Sequence, residues 1–361
     1  MSSVFALLAT GGTGGHTYPA LALAQELVGR EHPPESIRFV GARRGLEGRV
    51  VPEAGFAIDL LPGRGLQRRL TFENVRTVWE ALVAMVRALV LVRRYRPRVV
   101  VGFGGYASLP CVVAARILRV PVVVHEQDAA PGLANRIATR VGAVPAVSLP
   151  GTPLPRATLT GNPVRVEIRG IRRTPESPPL VALFGGSLGA RTINDAALDL
   201  YDRWRYRTDV RVEHVCGARN HDDCVARLTA LRQPGDALEY ELTPYEPAMH
   251  QLYARATIAV CRAGAGTIAE VTAAALPTVL VPLPGAPSDH QTHNARALES
   301  AGAAVLLPDE QCTGPQLDAI CGRLLGDPER VEQMAQAARE LARPDAAARL
   351  ADLVEARARV G

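Results

Sequence analysis

The sequence predicts two doubly wound α/β domains in one chain of 361 residues. Three observations lead there. The chain opens twice on the same unit, a short apolar strand, a glycine-rich turn and a helix. Aliphatic residues abound while aromatic ones make up only 4%, which suits parallel sheets covered on both faces by Ala- and Leu-rich helices. The length exceeds one ordinary core and fits two.

In the first half, Val4–Leu8 is a strand entering Gly11-Gly12-Thr13-Gly14-Gly15-His16, with a helix expected over Pro19–Val28. Ile37–Val40 is a second strand, followed by Gly41-Ala42-Arg43-Arg44-Gly45. Val99–Gly102 leads through Phe103-Gly104-Gly105-Tyr106 into a helix from about Leu109, and Val120–His125 is a further strand. Pro145–Pro179, rich in Pro, Thr and Arg, reads as the junction and carries Gly161-Asn162-Pro163-Val164-Arg165. The second half repeats the scheme: Leu180–Phe184, then Gly185-Gly186-Ser187-Leu188-Gly189-Ala190-Arg191, then a helix from about Thr192. Ala256–Cys261 enters Arg262-Ala263-Gly264-Ala265-Gly266-Thr267 and a helix near Ile268; Pro277–Pro282 is another strand and Gln333–Val360 is helical. The expected domains are 1–163 and 164–361, the last helix being able to pack back on the first.

All 41 basic residues are arginine. Without lysine, a Schiff-base enzyme, a pyridoxal-phosphate enzyme and a P-loop NTPase are excluded. Arginine still serves phosphate recognition through its planar fork. The six cysteines form no metal-spaced pair and read as buried residues of a reducing compartment. No basic leader precedes Val4, so no signal peptide is expected. Trp79–Val92 is the most apolar helical stretch but is too short and is broken by Arg87.

Glycine turns that open helices are anion sites, because unpaired N–H groups and the helix dipole point at the ligand. One such turn is equally a tight strand-to-helix connection; several on the carboxyl edges of two sheets point to phosphate chemistry. A dinucleotide enzyme fits poorly. Thr17 stands where the third glycine belongs, and no acidic residue follows the second strand, although Arg43 and Arg44 leave a weak NADP reading.

The glycine turns, together with His125-Glu126-Gln127, Gly161–Arg165, Arg262–Glu270 and Asp289-His290-Gln291-Thr292-His293-Asn294, resemble the MurG family of peptidoglycan N-acetylglucosaminyltransferases over nearly the whole chain and in the same order. The resemblance implies a GT-B fold, two Rossmann-like domains facing a cleft, with UDP-N-acetylglucosamine on the second and a lipid-linked muramyl-pentapeptide as acceptor. Thr13, Gly14, Gly15 and His16 are carried over to the acceptor diphosphate and donor sugar, and Gly104, Gly105 and Tyr106 to substrate binding; His16, at the mouth of a helix N-terminus, is also the candidate general base. Arg165, Ser187 and Gly189 fall to the donor diphosphate, Glu246 to uracil, and Ala265, Gly266, Thr267, Ile268, Ala269 and Glu270 to the nucleotide, with Glu270 on the ribose. Gln291 and Asn294 fall to the sugar hydroxyls. Plainer roles exist for each: a turn histidine for His16, an ion pair for Arg165, helix caps for Ser187, Gln291 and Asn294, and a first-turn glutamate for Glu270.

Two positions depart from the family. Asp128 replaces a usual Asn, turning a donor into an acceptor-only group, and Glu246 stands where an apolar residue is usual. Leu66, Leu70, Phe72, Val75 and Trp79 among Arg64, Arg68, Arg69 and Arg76 suit an anionic lipid surface, although Phe72, Val75, Trp79, Leu82 and Val86 also keep the spacing of a buried helix face. The expected protein is therefore a peripheral enzyme of the cytoplasmic membrane face, acting with other cell-wall synthesis proteins. It uses neither cofactor nor metal and binds no nucleic acid; Asp222-Asp223 reads as a solvated loop pair. The rivals are a related transferase for another lipid or natural product, a UDP-sugar epimerase, and a non-catalytic UDP-sugar sensor.

Overall fold

The computed structural model describes residues 4–43, 45–62, 73–186 and 189–359, with side chains of the helix at 73–95 from residue 79 onward. Leu66, Leu70, Phe72, the side chains of Val75 and Arg76, Arg44, Arg64, Arg68, Arg69 and Ser187 lie outside the described residues. The chain divides into two compact units, Met1–Val166 with Arg343–Gly361, and Glu167–Ala342.

The first unit is built on a parallel sheet of β1 (Ala6–Ala9), β2 (Ile37–Ala42), β3 (Ala57–Leu61), β4 (Val99–Gly102), β5 (Val122–Glu126), β6 (Val144–Val147) and β7 (Thr158–Leu159), in the order β3-β2-β1-β4-β5-β6-β7. Its helices are α1 (Gly14–Gly29), α2 (Glu47–Glu53), α3 (Glu73–Tyr95), α4 (Ser108–Ile117) and α5 (Leu133–Arg140). Valine-rich strands with no exposed face, such as Val99–Val101, match a sheet covered on both sides.

The second unit alternates β8 (Leu180–Phe184), α6 (Arg191–Trp204), β9 (Arg211–Val215), α7 (His221–Leu231), β10 (Glu239–Thr243), α8 (Met249–Arg255), β11 (Ile258–Cys261), α9 (Ala265–Ala273), β12 (Thr278–Leu280), α10 (His290–Ser300), β13 (Ala304–Leu306), α11 (Gly314–Leu325) and α12 (Pro328–Leu341). Its sheet, also parallel, runs β10-β9-β8-β11-β12-β13. A final helix, α13 (Ala346–Ala358), returns to the first unit. Its Leu350, Ala351, Val354 and Ala358 join the core formed by Leu23, Leu27, Phe39 and Val99.

Several expectations need correction. α1 begins at Gly14 rather than Pro19, and Pro19 sits inside it; the glycine turn is thus itself the first helical turn. Likewise α9 starts at Ala265 rather than near Ile268. The proline-rich junction contributes two strands, β6 and β7, to the first sheet. Gln333–Val360 is two helices, parted around Pro344 because proline cannot continue the ladder. Asp222 and Asp223 stand in the first turn of α7, favoured there by the helix dipole, and not in a loop. The apolar positions Trp79, Leu82, Val86 and Val90 of α3 are 56–67% exposed, so they are not core; Ala84, Ala88 and Val92 face inward instead. All six cysteines are buried.

Candidate functional site

In an open parallel sheet, ligands gather at the carboxyl edge where the strand order reverses. In the first unit that point lies between β1 and β4, and each of these strands runs into a glycine turn. The two turns touch backbone to backbone. A Cβ on Gly105 would stand 2.5 Å from the Gly11 carbonyl oxygen, and one on Gly11 would stand 2.8 Å from the Tyr106 nitrogen. Thr13 caps α1 through its extended backbone without a side-chain bond. The N–H groups of Gly14 and Gly15 therefore begin the helix with no carbonyl behind them, which is the geometry an anion needs.

His16 stands in that first turn with its ring seated on Gly104. A Cβ on Gly104 would meet the ring's Cε1 at 3.3 Å, and the φ of +84° there also favours glycine. The His16 Nδ1 lies 3.2 Å from Gln127 Oε1, Gln127 Nε2 lies 3.0 Å from His125 Nδ1, and His125 Nε2 lies 2.9 Å from the Gly161 carbonyl oxygen. Burial lowers the His125 pKa to about 4 against the opposing pull of that carbonyl, so the ring is neutral. Glu126 accepts from Asn135 and from the Asp128 and Gly132 N–H groups, which pins the loop carrying Asp128; burial raises its pKa and these bonds oppose the rise. Burial, and then the field of Glu80, raises the Tyr106 pKa, so its hydroxyl stays protonated. Arg165 lies over the Tyr18 ring, 5.7 Å from its centroid.

In the second unit the order reverses between β8 and β11. The turn after β8 keeps Gly186 and Gly189 at positive φ, and Gly189 packs against the Cys216 carbonyl. After β11 the extended Gly264 opens α9, whose first turn is Ala265, Gly266 and Thr267. Ile268 turns into the core, Ala269 is half-buried, and Glu270 accepts from the Tyr253 hydroxyl at 2.9 Å. Gln291 Oε1 accepts from the Leu283 N–H at 2.9 Å, which aims the amide NH2 away from that strand end. Asn294 is fully buried and donates to the Ala263 carbonyl, tying α10 to the β11 turn. Glu246 accepts from the Ala248 N–H in the turn just before α8.

Sequence reasoning missed Glu47. Its Oε1 accepts from the Gly12 and Ala42 N–H groups at 3.0 and 2.7 Å, so it staples the first glycine turn to the end of β2. The glycines at 41 and 45, where a Cβ would collide with Glu47, are the one trace it leaves in the sequence. Tyr253 and the buried His214–Asn194–Tyr240 cluster left none.

Parallel units with glycine turns at both switch points are shared by many nucleotide-binding enzymes; the family models place this chain among the two-domain glycosyltransferases of family 28. The N-terminal domain model of that family matches residues 6–143 and the C-terminal domain model residues 180–350. Within it, the chain belongs to the MurG family. It is 39% identical to the UDP-N-acetylglucosamine--N-acetylmuramyl-(pentapeptide) pyrophosphoryl-undecaprenol N-acetylglucosamine transferase of Desulforudis audaxviator, over 97% of both chains. It is 40% identical to the protein of the same name from Xylella fastidiosa, over 96% of this chain and 94% of the other. A crystal structure of Acinetobacter baumannii MurG resembles it with a TM-score of 0.79 at 28% identity, over 98% of this chain and 99% of that one. The calicheamicin glycosyltransferase CalG4, at 20% identity and a TM-score of 0.68, shares the fold.

Proposed function

We propose that this protein transfers N-acetylglucosamine from UDP-N-acetylglucosamine to the muramyl 4-hydroxyl of a lipid-linked muramyl-pentapeptide, with inversion. The observation that carries the reading is His16 in the first turn of α1, next to the N–H groups of Gly14 and Gly15. A base and an anion cradle then lie one residue apart, as a diphosphate-linked acceptor needs. The acceptor diphosphate rests on the α1 turn, and the hydroxyl gives its proton to His16 as it attacks the anomeric carbon opposite UDP. Arg165, Ser187 and the turn with Gly189 stabilise the departing diphosphate. Glu270 takes the ribose hydroxyls and Gln291 the sugar hydroxyls, while the segment Arg262–Glu270 and Glu246 hold the nucleotide.

The site of action is the cytoplasmic face of the membrane, with cell-wall synthesis proteins as partners. Among the described residues no helix is long and apolar enough to cross a bilayer. The exposed stripe Trp79, Leu82, Val86, Val90, with Arg87, Arg93 and Arg94 on the same helix, supports peripheral docking on anionic lipid.

The test is a donor-and-acceptor assay with purified protein. His16→Ala should lower turnover about 100- to 10,000-fold with UDP affinity unchanged; near-normal turnover would remove the base role. Asp128→Asn, which restores the family amide, should retain or raise transfer from UDP-N-acetylglucosamine. If it abolishes transfer, Asp128 has its own task and a different lipid or natural-product acceptor becomes the reading.

A further inference from the structure

The hydrogen bonds from His16 to Gly161 run in one direction, and that direction can be derived. A backbone carbonyl only accepts, so His125 Nε2 donates to Gly161. The buried, neutral His125 ring has a single N–H, hence its Nδ1 accepts. The Gln127 atom facing that Nδ1 also lies 3.2 Å from the His125 carbonyl oxygen. Two acceptors require a donor, which makes that atom the amide nitrogen. The amide oxygen consequently faces His16 Nδ1, and an oxygen can take only a hydrogen carried by that nitrogen.

We propose that Gln127, oriented by His125 and the Gly161 carbonyl, is a positioning residue that holds neutral His16 with its hydrogen on Nδ1 and its basic lone pair on Nε2. This rests on the reading of His16 as the base and says which nitrogen does the work. A histidine side chain in water prefers the other tautomer, with hydrogen on Nε2, so the preference is reversed here by one bond. When Nε2 takes the acceptor's proton, Nδ1–H keeps donating to Gln127 and nothing rearranges. The partner is a neutral amide rather than a carboxylate. It orients the imidazole without placing a negative charge beside it.

The experiment combines 15N-histidine NMR of the full chain with kinetics of the Gln127→Met, Gln127→Glu and His16→Ala variants. In the parent, long-range 1H–15N correlations of neutral His16 should report Nδ1–H. Gln127→Met should convert His16 to Nε2–H and lower kcat about 10- to 100-fold, by analogy with partners that orient metal-bound histidines. Its UDP affinity should stay at the parent value, while the buried His125 Nδ1 left without its donor should lower the thermal midpoint by a few degrees. Gln127→Glu keeps an oxygen toward His16 and meets the two His125 acceptors with its second oxygen protonated; it should retain Nδ1–H and recover part of the lost turnover. A Gln127→Met enzyme with parental turnover and an unchanged tautomer overturns the proposal, as does a Gln127→Glu enzyme no better than Gln127→Met. Near-normal turnover in His16→Ala overturns the base reading instead, while the tautomer spectra still decide the relay.

Discussion

The Tyr253 hydroxyl donates to Glu270 Oε2 at 2.9 Å from a ring that is only 2% exposed. One helix thus fixes the carboxylate carried by another, since Tyr253 belongs to α8 and Glu270 to α9. In the proposed ribose role, a carboxylate locked this way would meet the diol without first losing side-chain freedom. Glu270→Ala should weaken UDP binding by about 1.5–3 kcal/mol, the range for a hydrogen bond to a charged group. Tyr253→Phe should weaken it by about 1 kcal/mol. Calorimetry giving parental UDP affinity for Glu270→Ala would remove the ribose assignment.

Gln291 has its oxygen occupied by the Leu283 N–H, so the group left to meet a sugar is a donor. Gln291→Glu keeps the oxygen bond and deletes the donor. Transfer from UDP-N-acetylglucosamine should fall about tenfold in kcat/KM, and the preference over the 4-epimeric donor should narrow, while free UDP binds as before. An unchanged donor preference would leave Gln291 a purely structural clasp.

Removing the Glu47 carboxylate should unfasten the first glycine turn from β2. Glu47→Ala leaves the buried Ala42 N–H without an acceptor and should cost about 1–3 kcal/mol in urea denaturation. Glu47→Gln retains one accepting oxygen and should recover most of that. Equal losses in both variants would mean that the charge, and not the bond, matters.

Two histidines should make the fold acid-sensitive. Burial lowers the His125 pKa to about 4 and the His214 pKa to about 3. Both lie below the ordinary value near 6.5 of the unfolded chain, so between these limits the unfolded state binds more protons and stability rises with pH. It is fully present above about pH 6.5 and is lost as pH falls toward 4, by about 1.4 kcal/mol per pH unit for each histidine. Urea midpoints at pH 7, 6 and 5 should follow that slope, and a flat profile would show that the rings take up protons while folded.

Trp79, Leu82, Val86 and Val90 share one face of α3 by their spacing of three and four residues. Replacing Leu82 and Val86 with serine should weaken co-sedimentation with anionic vesicles and leave the thermal midpoint within about 1 °C, because exposed positions contribute little to folding. Vesicle binding that ignores this pair would exclude the stripe as the docking face.

Both sheets were legible because buried parallel strands write themselves as Val-, Leu- and Ala-rich runs, and each glycine turn marks where one ends. Helix starts were less legible. Pro19 looks like a first-turn residue, yet it lies in the second turn of α1, because the preceding glycines are themselves helical. The strands β6 and β7 hid in a proline-rich stretch that composition reads as linker. Within the candidate site, His16, Gln291 and Glu270 are singled out by their motifs. Glu47 and Tyr253 did not, because a residue that acts through another leaves no spacing pattern; its partner is distant in sequence and is found only in three dimensions.

The helix α13 has a consequence for how the molecule is made and divided. Leu350, Ala351, Val354 and Ala358 complete a core whose other buried members are drawn from the first 150 residues, yet they are translated after the entire second unit. During synthesis the second unit can close while the first still waits for its final helix. A gene cut between the two sheets would therefore release one finished half and one with an open seam along α1. Any attempt to exchange the second unit between relatives must carry residues 343–361 with the recipient's first unit rather than with the graft.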